Sequence, residues 1–292
     1  MLIHERLNNQ SNMSDIEKDI ANYFLENPQA LKELSARKLA EKMFIATSTI
    51  SRFCKKIGYI GYNDFKDAYL EESNYLQSHF IDIDPNRPFE MNDSPWTIAN
   101  KIHSLYDETI SDTLSLLNHK KLEETAKLLQ ASDKVYIYSG GDTLDLAKNF
   151  KHKMIRIGKD IEVIDRTDLA HYPANYAGPK DCFLLISYSG ETNEILRILK
   201  VLRERKLPTI AITSYGENTL SKAATITLNM STREKLINNL GSFSSDLSVM
   251  YLLDVLYAAY FSKNYVKNYK KKVQIAKNFQ TFRNSANPLL KD

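Results

Sequence analysis

Two short segments constrain this chain more than any other: Val135-Tyr-Ile-Tyr-Ser-Gly-Gly-Asp-Thr143 and Leu185-Ile-Ser-Tyr-Ser-Gly-Glu-Thr192. Each is an apolar β-type run that ends in small hydroxyl and glycine residues and passes at once into a helical pattern. A strand, a turn with free backbone N–H groups and the positive end of a helix dipole follow in that order. Two such turns side by side form a pocket for a phosphate monoester, because hydroxyls and amides satisfy its oxygens without a metal. The candidate ligand residues are therefore Gly141, Thr143, Ser187, Ser189, Gly190 and Thr192, and no metal or cofactor is expected.

The surrounding pattern extends this reading. Val135–Tyr138, Ile161–Ile164, Cys182–Ser187, Thr209–Thr213 and Thr225–Leu228 read as strands, with helical patterns between most of them. Strands without polar alternation, separated by helices, indicate a parallel sheet covered on both faces. The expectation is a doubly wound, five-stranded α/β domain over 96–292, opened by one long amphipathic helix from about Pro95 to Gln130. Leu247–Phe261 is a helix apolar almost all round, which predicts burial from several sides and suggests a dimer face. The basic run Lys267–Lys272 reads as the solvated face of a terminal helix.

Residues 1–77 read as helices only. Met13, Ile16, Ile20, Tyr23 and Phe24 recur at helical spacing until Asn27-Pro28. Further helices are expected at about 35–43 and 47–57, and a fourth carries Phe65, Tyr69 and Leu70. From 78 to 95 the periodicity fails and prolines intervene, so that stretch is expected to be a linker.

Within the helical part, Ser35–Lys56 has helix-turn-helix spacing: Leu39, Met43, Ile45, Ile50 and Phe53 fall where two crossed helices need apolar contacts. Lys38, Thr47, Ser48, Thr49, Ser51, Arg52, Lys55 and Lys56 are left for the face that would read a major groove of double-stranded operator DNA. The chain's net charge of +3 is too small to argue for nucleic acid by itself. The charge is local, however. Segment 37–56 holds six cations against Glu41 alone, a net +5, while 1–77 as a whole is slightly acidic. Phe44 stands in the turn where glycine is common, and Ala46 where a capping serine is common, so Thr47 is expected to cap one residue later.

Other classes fit less well. No apolar run approaches the roughly 20 residues that span a bilayer, and the N-terminus lacks the apolar core of a signal peptide. Cys54 and Cys182 match no metal-ligand spacing. A cytoplasmic protein with reduced, buried cysteines is expected. An aldose–ketose isomerase would need a base over the open-chain sugar. His152 and His171 lie outside any strand, and Glu234 and Asp246 have no recognisable motif around them, so no catalytic residue is assigned.

Taken together, the chain resembles the RpiR/MurR family of bacterial transcription regulators, which join a helix-turn-helix domain to a sugar isomerase (SIS) domain. The resemblance is carried by Leu39-Ala-Glu-Lys-Met, Thr49-Ile-Ser-Arg-Phe-Cys-Lys-Lys-Ile-Gly-Tyr, Gly61-Tyr-Asn-Asp-Phe-Lys66, Gly141-Asp-Thr143, Ser187-Tyr-Ser-Gly-Glu-Thr192, Ala211-Ile-Thr213 and Leu252-Leu-Asp-Val-Leu256. It implies phosphate-binding hydroxyls at Thr143, Ser187, Ser189 and Thr192. It also implies a sugar-phosphate or acidic-sugar effector, a homodimer or higher even oligomer, and control of carbohydrate genes. The family's first turn usually reads Gly-x-Gly-x-Ser. Here Ser139-Gly-Gly-Asp-Thr143 keeps the hydroxyl but sets Asp142 beside the phosphate, and Phe243 stands where arginine is common.

Overall fold

The computed structural model describes residues 3–78 and 83–279, with Asn287 and Leu289. The chain divides into two compact units, Met1–Ile83 and Asp84–Asp292.

The first unit holds α1 (Ile3–Asn8), α2 (Asp15–Glu26), α3 (Ala36–Lys42), α4 (Thr47–Lys56) and α5 (Tyr62–Ser78). Ser14 and Glu17 form a capping box that starts α2, and Ser35 caps α3 through the Lys38 amide. The core gathers Phe24, Leu39, Ala40, Ile50, Phe53, Phe65 and Tyr69. The Phe24 and Phe65 rings lie 4.6 Å apart, and Tyr69 donates its hydroxyl to the Phe24 carbonyl at 2.8 Å. Helix α1, absent from the periodicity reading, is held by one distant acid. The carboxylate of Glu72 accepts the Ile3 and His4 amides, each at 2.7 Å, and so occupies the positive end of a helix too short to stand alone.

The second unit contains α6 (Pro95–Ser115), α7 (His119–Ala131), β1 (Lys134–Ser139), α8 (Thr143–Ile155), β2 (Asp160–Ile164), α9 (His171–Tyr176), β3 (Cys182–Ile186) and α10 (Asn193–Glu204). It continues through β4 (Thr209–Ser214), α11 (Thr219–Ala223), β5 (Ile226–Met230), α12 (Phe243–Lys263) and α13 (Tyr265–Phe279). The sheet is parallel throughout, in the order β2-β1-β3-β4-β5. Successive strand residues serve opposite layers. Cys182, Leu184 and Ile186 face a core shared with α8 and α12. Phe183 and Leu185 face another shared with α10 and α11. Two apolar layers explain why β3 shows no polar alternation.

Three expectations need correction. The single helix expected from Pro95 to Gln130 is two helices, because Asn118 leaves the helix and caps α7 through the Lys121 amide at 3.1 Å. The segment expected as linker over 78–95 is not one in its second half. Asn86 accepts the Lys235 amide at 2.6 Å and the Leu240 amide at 3.0 Å, and donates to the Arg233 carbonyl at 3.2 Å. Phe89 meets Phe243 edge-on. These residues therefore belong to the second unit. Lastly, α12 is covered by α6, α7 and α8 of its own chain, so its apolar girth is no argument for a partner subunit.

Among the described residues no helix is long and apolar enough to cross a membrane. Both cysteines are free and buried, and burial pushes the Cys54 thiol up to about 12 and the Cys182 thiol up to about 11. They are unreactive packing groups.

Candidate functional site

The strand order places β1 between β2 and β3, so the chain leaves β1 toward one side and β3 toward the other. That reversal opens a crevice at the carboxyl ends of the strands. The turn after β1 and the turn after β3 meet there, around a cavity of about 380 Å³. Of the expected ligand residues, Gly141, Thr143, Ser187, Ser189 and Thr192 line it; Gly190 does not. Gly190 has a φ of +67°, and a Cβ there would fall 2.1 Å from the Asn218 side chain that caps α11. Its role is to let two turns approach, as only glycine can.

The hydroxyls organise one another. Ser187 and Thr192 share a hydrogen bond of 2.8 Å, and Ser187 also accepts the Gly190 amide at 3.1 Å. Ser189 accepts the Glu191 amide at 3.1 Å, and Thr143 pairs with Ser139 at 2.5 Å. Glu191 turns away to accept the Thr219 amide at 2.7 Å. Neither α8 nor α10 has a side-chain cap at its N-terminus. Two positive helix ends thus enter a hydroxyl-lined cavity with their first amides unclaimed by caps, an arrangement suited to an anion.

A third wall was invisible as a motif. Glu234, Lys235, Asn239, Ser242, Ser245 and Asp246 complete the cavity. Glu234 is 6% exposed and spends its carboxylate on α12: it accepts the Ser245 hydroxyl at 2.5 Å and the Ser244 and Ser245 amides at 3.3 and 3.1 Å. Asp246 sits partly buried, and burial, then Asp142 and Glu234, push its carboxyl up to about 6. His152 and His171 are exposed and do not line the cavity. Phe243 does not line it either.

Asp246 has a testable consequence. Its charged form is the disfavoured one in the fold, so its burden on stability is absent in acid and grows as pH rises from the ordinary carboxylate range through about 6. An anionic ligand adds to that burden. Asp246→Asn is expected to bind sugar phosphates more tightly than the unaltered chain near neutrality, with the advantage vanishing at about pH 5. Calorimetric titration of both proteins across that range measures the ratio, in which the phosphate's own ionisation cancels. A ratio independent of pH would show that Asp246 does not titrate beside the ligand.

In the first unit α3 and α4 cross as a helix-turn-helix. Ile50, Phe53 and Cys54 are buried, while Lys38, Thr47, Ser48, Arg52, Lys55 and Lys56 are exposed and Thr49 and Ser51 half-buried. Helix α4 begins at Thr47 with Ala46 in the capping position and no side-chain cap, so Thr47 does not cap as expected. Phe44 supplies the turn in the left-handed region at φ +57°, a conformation that costs a non-glycine residue roughly 1–2 kcal/mol.

The basic face is smaller than its residue count. Lys56 donates to the Glu17 carboxylate at 2.6 Å and to the Asn12 carbonyl at 2.9 Å, and its ammonium holds the Glu17 carboxyl below the usual range. Arg37 pairs with Glu41 at 3.0 Å, whereas Lys38, Arg52 and Lys55 have no acidic partner among the described residues. Lys55→Ala is therefore expected to weaken binding to every duplex and to lower the slope of log K against log salt by about 0.9. Lys56→Ala should change the slope less while slightly lowering the melting temperature above the Glu17 titration, since the pair is lost anyway as pH falls through it. Equal slopes for the two variants in a salt-titrated anisotropy assay would refute the distinction.

The arrangement is that of a two-domain protein, a helix-turn-helix unit and a five-stranded α/β unit with an anion cavity. Residues 1–74 match the helix-turn-helix domain of the rpiR family, and residues 127–259 match the SIS domain. The chain belongs to the RpiR family of transcriptional regulators, with its helix-turn-helix and SIS domains. It is 29% identical over 255 residues to an HTH-type transcriptional regulator of Caldanaerobacter subterraneus subsp. tengcongensis, covering 87% of this chain and 88% of the relative. It is 24% identical over 218 residues to the HTH-type transcriptional regulator HexR of Pseudomonas aeruginosa, covering 75% and 74%. Among solved structures it is similar to the Vibrio vulnificus NanR protein complexed with ManNAc-6P. There the TM-score is 0.61 and the identity 22%, with 97% of this chain and 99% of that one covered.

Proposed function

We propose that the chain is a ligand-responsive regulator of carbohydrate-catabolism genes, binding operator DNA through α4 and sensing a sugar phosphate or related acidic sugar in the SIS cavity. The observation that carries the effector reading is the pair of uncapped N-termini, of α8 and α10, converging on the Thr143, Ser187, Ser189 and Thr192 hydroxyls. The bound sugar phosphate of the NanR protein supports the same ligand class. A sugar isomerase is less well supported, because Glu234, the most buried acid of the cavity, is engaged at the N-terminus of α12. The effector can regulate only by as much as its affinity differs between the free and DNA-bound shapes. Titration calorimetry with a panel of hexose and N-acetylhexosamine 6-phosphates tests the reading, paired with gel shifts on DNA upstream of the chain's own gene. Failure of every sugar phosphate to bind would overturn the effector assignment, and failure to bind that DNA the operator assignment.

A homodimer or higher even oligomer is part of this proposal, since two recognition helices on a palindromic site match a twofold protein. Support comes from the loop beside the cavity, where Leu236, Ile237 and Leu240 are exposed together. Sedimentation of the full chain at micromolar concentration is expected to show a dimer or larger, and Ile237→Asp to shift it toward monomer. A monomer under all conditions would refute this part.

A further inference from the structure

We propose that Phe44 is itself a DNA-contacting residue, its ring packing on an apolar part of the duplex beside the N-terminus of α4. The inference rests on the DNA-binding reading above and deepens it.

Two independent features of this residue conflict with folding alone. Its backbone lies at φ +57°, where glycine carries no steric cost and asparagine little. Its side chain is 96% exposed, so the ring returns no burial for that strain. The turn needs the left-handed residue: the Phe44 amide reaches the Glu41 carbonyl at 3.3 Å, and the Ile45 amide reaches Ala40 at 3.0 Å. It does not need a phenyl group. The molecule supplies its own comparison in Lys206, the other non-glycine residue at positive φ among those described. It follows α10 and carries a charged side chain that water solvates well. Only Phe44 combines backbone strain with a bare aromatic surface, and such outliers point to function rather than stability.

Its place in the fold identifies the partner. Phe44 is followed by the exposed residues Ala46, Thr47 and Ser48, and Ala46 leaves the first amides of α4 without a side-chain cap. A backbone phosphate is the group that would complete this end. A ring two residues before that cap lies within reach of the adjoining strand. What DNA offers an apolar ring there is the face of a deoxyribose or the methyl of a thymine.

The test uses the full chain and a duplex it selects from a random-sequence library. Phe44→Gly and Phe44→Asn are expected to melt no lower than the unaltered chain, yet to bind that duplex about tenfold more weakly or worse. Replacing thymine by uracil in the duplex then separates the two sources. Loss of affinity in the unaltered chain but not in Phe44→Gly assigns the methyl, and equal behaviour assigns the sugar. Unchanged affinity in Phe44→Gly would overturn the proposal. So would a loss of affinity that tracks a lowered melting temperature in both variants, which would mark Phe44 as structural. Selection of no duplex by the unaltered chain would instead bring down the DNA-binding reading, and this contact with it.

Discussion

Replacing Ser187 and Ser189 together with alanine is expected to weaken sugar-phosphate binding by about a hundredfold or more. Each hydroxyl that bonds a charged group contributes roughly 1.5–3 kcal/mol, so two amount to about 3–6 kcal/mol. The structure adds a second route to the same loss. Ser187 also holds the Gly190 amide and the Thr192 hydroxyl, and Ser189 holds the Glu191 amide. Without them the turn that aims the α10 amides would loosen. The affected residues are local to the second unit, whereas α4 belongs to the first, so binding to the operator should persist while the response to ligand disappears. Calorimetry and gel shift on the same double variant measure both. Unchanged ligand affinity would place the effector elsewhere and end the phosphate reading of these turns.

The turns were legible because their chemistry is local: strand, hydroxyl and glycine cluster, and helix start lie within nine residues of one another. The same holds for the helix-turn-helix, whose apolar spacing is set by two adjacent helices. What escaped depends on contacts between residues far apart in the chain. Glu234 and Asp246 carry no motif, yet the fold brings them to the rim opposite Asp142. Lys56 reads as one more cation for DNA until α2 brings Glu17 against it, 39 residues away. Asn86 looks like linker composition, and only its three hydrogen bonds to 233–240 fix it to the second unit. The apolar girth of α12 was visible, but its partners were not. A run of hydrophobic residues states that a surface must be covered, and the identity of the cover is a matter of topology.

Arg52→Ala is expected to remove specific operator binding while leaving the fold and the effector site intact. Arg52 lies on the exposed side of α4, away from Ile50, Phe53 and Cys54. Unlike Lys56 and Arg37, it has no acidic partner among the described residues, so its guanidinium is available for a bidentate contact to a base edge or a phosphate. One such contact discriminates by about 1–3 kcal/mol. A twofold assembly would lose it on both half-sites, roughly 2–6 kcal/mol in all, or from about thirtyfold to several thousandfold in affinity. Arg52→Lys should rescue only part, because an ammonium keeps the charge and loses the fork. That partial rescue separates the base contact from mere phosphate attraction. If Arg52 only neutralised a phosphate, lysine would restore both affinity and sequence preference. Competition footprinting with specific and scrambled duplexes reads the difference, and full specificity in the alanine variant would remove Arg52 from the recognition surface.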